Sequence, residues 1–235
     1  ANLAGFSVSN TRGQVPLDAV VGAYARRDPP SPEPSAHAAA ARRIASAPRS
    51  VSDHSATMRQ ARYAAMALID NPIELDSLLV RVLNTAIRLT DATFGNIQLA
   101  QPDTGALHIV RQSGFDNEFL DYFAVVEDTA SACGRAASTR QQVTVTDTRT
   151  DPTFAAHRDI AEAAHFRAVQ STPLFSATGV FIGVVSTHYQ HARHPGNDRL
   201  GALRFFGDVA GELLARQIGA ANSAADGTLF GPPRR

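Results

Sequence analysis

Between Leu75 and Leu89 the apolar residues fall at three- and four-residue intervals, Leu75, Leu78, Leu79, Val82, Leu83, Ala86 and Leu89, which places them on one side of a helix. Asn71-Pro72-Ile73-Glu74 supplies its start signal: a capping side chain, a proline whose missing N–H costs nothing at the first helical position, and Glu three residues after the cap. A second stripe runs through Leu200, Leu203, Phe206, Ala210, Leu213 and then Gln217 or Ile218, with Asn197 as cap. Shorter helical patterns cover Thr57 to Asp70, Asn117 to Val126, the Ala132-Cys133-Gly134-Arg135-Ala136 segment and Asp159 to His165.

Strand patterns lie between these helices. Phe94 to Gln101 and Leu107 to Ser113 flank a Pro-Asp-Thr-Gly turn, and in the first of them Ile97 and Leu99 alternate with Asn96 and Gln98. One face of that strand is apolar and the other presents amides. Val143 to Thr146 is a short strand, and Ala168 to Phe175 with Val180 to Tyr189 form a long hairpin turning at Gly179. This order predicts an α+β domain with one antiparallel sheet, terminal helices on one face and short helices and loops on the other. Residues 1–56, rich in Ala, Pro and Arg and without apolar periodicity, are expected to be disordered; residues 57–219 form the domain, and 220–235 a flexible tail. The chain opens on Ala1, and Met58 and Met66 offer alternative starts.

All 22 basic residues are arginine, so chemistry that needs an ammonium group, Schiff-base formation or a Walker-type phosphate loop, is excluded. A single cysteine, Cys133, permits neither an internal disulfide nor a thiolate zinc cage. The net charge of zero hides an asymmetry: residues 1–69 carry eight Arg against four acids, giving +4, and residues 70–235 fourteen against eighteen, giving −4. An acidic domain without a basic stripe is a poor nucleic-acid binder. No stretch approaches the roughly 18 consecutive apolar residues of a membrane span, and no secretory signal is evident, so a cytoplasmic location is expected.

The hairpin Arg167-AVQSTPLFSATGVFIGVVSTH-His188, together with Ser131-ACGRAASTRQQVTVTDTRTDPTF-Phe154 upstream, resembles a GAF domain, the small-molecule sensor module of bacterial signalling proteins. The likeness spans roughly Asn71 to Ile218. It implies a non-catalytic sensory domain with its ligand cavity on the loop side of the sheet, dimerised through its terminal helices. The outputs it implies are a histidine kinase, a cyclase or a phosphodiesterase; no output motif follows Ile218, so the chain is expected to act in trans or to be a piece of something longer. The cofactor is an unidentified small molecule. A covalent bilin is disfavoured, since Gly134 rather than His follows Cys133. Free methionine sulfoxide reductases of this family use a second cysteine, and its cyclic-nucleotide pattern needs a lysine; the chain has neither. A ligand-free dimerisation module, its cavity filled by Phe115, Phe119, Phe123, Phe154 and Phe166, and a thiol redox sensor acting through Cys133 are the alternatives.

The candidate ligand-binding residues are Phe115, Phe123, Cys133, Asp147, Asp151, Phe154, Gln170, Thr172 and His188, with no catalytic or metal site. Asp147 and Asp151, four apart, present paired carboxylates to a cation or amine, or else build the loop by accepting backbone N–H bonds. Arg135 turned inward would assist a thiolate at Cys133. Arg167 pairs with a carboxylate on ligand or loop. Gln170 and Thr172 share one strand face, Val169, Ser171 and Pro173 the other, and either set makes a mostly apolar wall with a few hydrogen-bonding groups. His188, His191 and His194 form an H-x-x-H-x-x-H string whose members point apart on a strand, so that only His188 is positioned to donate to a ligand.

Overall fold

The computed structural model describes residues 55–70 and 73–228, with side chains as far as residue 221. Residues 1–54, which make up nearly all of the expected disordered segment, Asn71 and Pro72 of the helix-start signal, and residues 229–235 lie outside the described residues. In chain order the elements are α1 (Ala56–Asp70), α2 (Leu75–Thr90), β1 (Phe94–Ala100), β2 (Leu107–Ser113), α3 (Asn117–Tyr122), β3 (Val125–Val126) and α4 (Ala132–Thr139). They continue with β4 (Val143–Val145), a 3-10 turn (Ala155–His157), α5 (Arg158–Ala163), β5 (Ala168–Phe175), β6 (Phe181–Tyr189) and α6 (Asn197–Thr228).

The strands make one antiparallel sheet in the order β3-β2-β1-β6-β5-β4. This is the α+β architecture that the alternation of patterns predicts. Behind the sheet, Ala61, Ala65 and Leu68 of α1, the whole apolar stripe of α2 and Leu203, Phe206, Ala210, Leu213 and Ile218 of α6 close on Ile97 and Leu99. A second apolar layer lies in front, where Phe115, Phe119, Phe123, Phe154 and Phe166 meet Val169 and Val184. The central strands β1, β6 and β5 therefore bury both faces, and their two sets of side chains do different work.

The last helix sits close on the hairpin. A Cβ on Gly211 would stand 2.5 Å from the Phe175 carbonyl oxygen, so only glycine allows this approach. Next to it, the buried Glu212 accepts the Ala177 N–H in the hairpin turn. Gln142 Nε2 adds a strut, donating to Thr172 Oγ1 and to the Leu200 carbonyl, both at 3.0 Å.

Four boundaries differ from the expected ones. Glu74, without a side-chain bond, holds the cap position of α2, which starts at Leu75 rather than beside Pro72. The helix before it, α1, runs through Asp70. Gly196, whose carbonyl accepts from Leu200 N–H at 3.1 Å, takes the cap position before Asn197. The helix expected over Asn117 to Val126 ends at Tyr122, because β-branched Val125 and Val126 pair with His108 and Leu107 of β2 instead. Finally, α6 passes Gly219 and continues to Thr228, through an alanine-rich run without proline.

Candidate functional site

The front face of the sheet carries a small site. Its floor comes from three adjacent strands: Asn96 and Gln98 of β1, Ser186 and His188 of β6, Val169 and Ser171 of β5. The register sets Asn96 beside Ser186 and Ser186 beside Ser171, so a polar row crosses the middle of the sheet, and the two serine hydroxyls bond at 2.8 Å. Phe119 of α3, Phe123 just after it, Ser131 to Cys133 at the start of α4, and Phe154 and Phe166 from the loops form the roof. Between them remains about 20 Å³, room for about one water.

The roof is set by local chemistry. Asp116 caps α3 by accepting Phe119 N–H at 3.1 Å, and Ser131 caps α4 by accepting Gly134 N–H at 3.1 Å. Those caps aim Phe119 and Cys133 at the floor. The aromatic rings then lock together, Phe115 stacked on Phe119 with centroids 3.7 Å apart and Phe166 standing edge-on to both.

Every polar side chain lining the site is uncharged. Asn96 Oδ1, Gln98 Oε1 and His188 Nδ1 are buried and have no hydrogen-bond partner among the described residues. Buried polar atoms are nearly always bonded, and leaving one unmet costs about 1–3 kcal/mol.

His188 lies edge-on to Phe115 and Phe166, at 4.9 and 4.8 Å between centroids, and desolvation pushes its imidazolium down to about 3. The ring is neutral in the folded protein, whereas in the unfolded chain it takes a proton near pH 6.5. A depressed folded value in a base means that the stability of the neutral ring is complete above about pH 6.5 and is lost as pH falls from there towards about 3. At up to about 1.4 kcal/mol per pH unit, roughly 2 kcal/mol should disappear by pH 5. Urea unfolding at pH 7 and pH 5 measures it: His188→Met should lose about that much less between the two than the wild type, and equal losses would show that the ring is protonated in place.

Cys133, a partly exposed residue, has its thiol raised by desolvation and further by the charge of Asp128, against the opposing contacts of Ser131, Gly134 and Gln98. Its Sγ donates to Ser131 Oγ at 3.5 Å. A protonated, buried thiol is a poor nucleophile. Arg135 does not turn towards it: the guanidinium lies 3.4 Å from Asp151 Oδ2.

Of the nine residues singled out from sequence, Phe123, Cys133, Phe154 and His188 line the site, and Phe115 stands behind Phe119 and His188. Asp147 and Asp151 do not reach it. Desolvation pushes the Asp147 carboxyl up, but Arg149 N–H and the Arg167 guanidinium together outweigh it and hold the carboxyl below the usual range. Asp151 accepts Thr153 N–H and Phe154 N–H at 2.9 and 3.0 Å, so it builds the loop that presents Phe154. Gln170 and Thr172 face the opposite way, under α6, where Gln170 Nε2 donates to Thr172 Oγ1 and Thr187 Oγ1 donates to Gln170 Oε1 at 3.3 Å. The members of the histidine string diverge, His191 and His194 being exposed, and among the described residues no group of three His, Cys, Asp or Glu is placed to hold a metal ion.

Asn96, Gln98, Ser131, Ser171 and Ser186 complete the site. The signal for the first two was the pair of amides alternating with Ile97 and Leu99, which belong to the core behind the sheet.

The fold is shared with solved structures. The GAF domain from a phosphoenolpyruvate-protein phosphotransferase of Coxiella burnetii superposes with a TM-score of 0.57 at 14% identity, covering 76% of this chain and 99% of its own. A domain of a two-component sensor histidine kinase protein from Sinorhizobium meliloti gives 0.51 at 15%, covering 66% and 98%. The free methionine-R-sulfoxide reductase from Neisseria meningitidis gives 0.50 at 20%, covering 71% and 91%, so the fold serves an enzyme too. No curated protein matches the chain. The family model of the GAF domain matches residues 73–215, and with that match, over the sheet and helices described above, the chain belongs to the GAF domain family.

Proposed function

We propose that the chain is a non-catalytic sensor of bacterial signal transduction, which holds a small, uncharged, hydrogen-bond-donating molecule under the phenylalanine roof. One observation carries this reading: the unmet acceptors Asn96 Oδ1 and Gln98 Oε1 and the unmet Nδ1 of neutral His188 on a single floor. With no charged side chain lining the site, an ionic guest would find no counter-charge. An apolar chamber with a few convergent polar groups is the usual make-up of a small-molecule site.

Occupancy passes to the terminal helices through β5 and β6. Val169, Ser171, Ser186 and His188 face the guest, and the alternate residues Gln170, Thr172 and Thr187 make hydrogen bonds behind the sheet, where Gln142 ties Thr172 to the α6 backbone. Guest binding shifts that layer only as far as its affinity differs between two helix arrangements. Exposed Tyr63 and Met66 on α1 support a homodimer through the terminal helices. The output is a histidine kinase, cyclase or phosphodiesterase. No helix among the described residues is long and apolar enough to cross a membrane, and the proposed location is cytoplasmic.

The near-filled chamber favours a second reading, a ligand-free dimerisation module. Asn96→Leu separates the two. If Asn96 serves a guest, the leucine variant loses the small molecule seen by native mass spectrometry of the purified wild type. Emptied, it is also more stable by about 1 kcal/mol, since an unmet buried acceptor has been removed. No retained molecule, with a leucine variant less stable than the wild type, would give the site to packing. The buried thiol weighs against the redox reading.

A further inference from the structure

We infer that Tyr122, His157 and Asp128 form a side-chain clasp that holds the roof over the phenylalanine-lined face, and that a guest enters when the clasp releases. The inference rests on the reading of that face as a guest site. Three separate roof segments meet at these residues: the C-terminal end of α3 at Tyr122, the 3-10 turn at His157, and the loop between β3 and α4 at Asp128. Tyr122 Oη lies 3.0 Å from His157 Nδ1 and donates to the Ala156 carbonyl at 3.2 Å, while His157 Nε2 lies 3.3 Å from Asp128 Oδ1. The same carboxylate oxygen accepts Ala130 N–H and Ser131 N–H, each at 2.7 Å, so the chain of bonds ends on the residue that caps α4 beside Cys133.

The protons run in one direction. Desolvation of Asp128 is outweighed by the Ser131 and Ala130 N–H groups and by His157, which keep the carboxyl below its usual range and therefore ionised. An ionised acceptor takes the proton on Nε2, and the single proton of the Tyr122 hydroxyl is shared between the Ala156 carbonyl and Nδ1. Behind this chain stand two roof rings, Phe123 and Phe154, with centroids 5.5 and 5.4 Å from His157. Releasing His157 frees both.

The two ends differ in strength. His157 is buried, but Tyr122 is 48% exposed, so water can replace the hydroxyl's partners and the clasp opens from the tyrosine end. A local opening of this kind costs far less than unfolding.

The chain's only cysteine reports the opening, because Cys133 belongs to the roof and its thiol turns inward, towards Ser131 Oγ and the site it lines. The alkylation rate of Cys133 by iodoacetamide in the full chain is the measurement. Tyr122→Phe, which keeps the ring and removes one hydroxyl, should speed labelling by about three- to tenfold, as expected for the loss of one hydrogen bond in the closed form. His157→Leu should do at least as much. Arg149→Ala, which breaks the exposed pair with Glu162 elsewhere on this face, should leave the rate unchanged. Unchanged rates in both clasp variants overturn the proposal, and so does an equal rise in Arg149→Ala, which would mean general loosening. Because no guest is needed, fast labelling in the clasp variants of a protein that never retains a small molecule would keep the clasp and remove the guest reading.

Discussion

Gly134→Ala is expected to lower the stability of the domain by about 3 kcal/mol, the reverse of what alanine does in an open helix. The Cβ it adds would stand 1.9 Å from the Asp128 carbonyl oxygen and 2.9 Å from Ser131 Oγ. Neither neighbour is free to move. Asp128 is fixed by its bonds to Ala130 and Ser131 N–H, and Ser131 Oγ caps α4 through Gly134 N–H itself. The first turn of α4 must therefore shift, which adds the loss of a cap, about 1 kcal/mol, to the cost of overpacking. Gly201→Ala makes the matched control, since a Cβ there meets nothing within 4 Å and should raise stability by about 0.5–1 kcal/mol. Urea unfolding of the two variants decides the matter, and a Gly134→Ala loss under 1 kcal/mol would mean that the Asp128 loop yields.

Gly134 also shows how far residue patterns carry. The helix after Ser131 is legible because its cap and its small residues are local in sequence, and so are α2, β1 and the β5–β6 hairpin. The face of β1 that lines the front site is legible too, since Ile97 and Leu99 leave no doubt about which side joins the helical core. On β5 the same period of two fails to choose. Seven of its eight residues are buried, and both sets mix apolar with polar side chains. What decides is Gln142, 30 residues from Thr172, whose amide claims the Thr172 side for α6. Asp147 and Asp151 fail for a related reason. A loop carboxylate reads alike whether it awaits a ligand or an arginine, and Arg167 and Arg135 are 20 and 16 residues away in the chain. Local capping and alternation are read directly; the selection between two plausible partners belongs to the tertiary fold.

Phe119→Ala should cost more than any other single change at the site, about 3–5 kcal/mol, by the usual penalty for removing a buried aromatic ring. Phe119 is 2% exposed and touches Phe115, Phe123, Phe166 and His188. The hole it leaves is walled by rings above and by Asn96 and Gln98 below, and a hole of that kind accepts small aromatic guests. Indole and indene then form a matched pair, alike in shape and differing in one N–H. Both should raise the melting temperature of Phe119→Ala and leave the wild type, with its chamber nearly full, unmoved; at about 100 times the dissociation constant the gain is about 2.7 kcal/mol. Indole should bind more tightly, because its N–H can meet Asn96 Oδ1 or Gln98 Oε1, and one such bond is worth about 1 kcal/mol, a factor of about five in affinity. Equal binding of the two would mean that the unmet oxygens do not face the guest. If neither moves the melting temperature, the rings have collapsed into the hole, and the chamber is packing rather than a site.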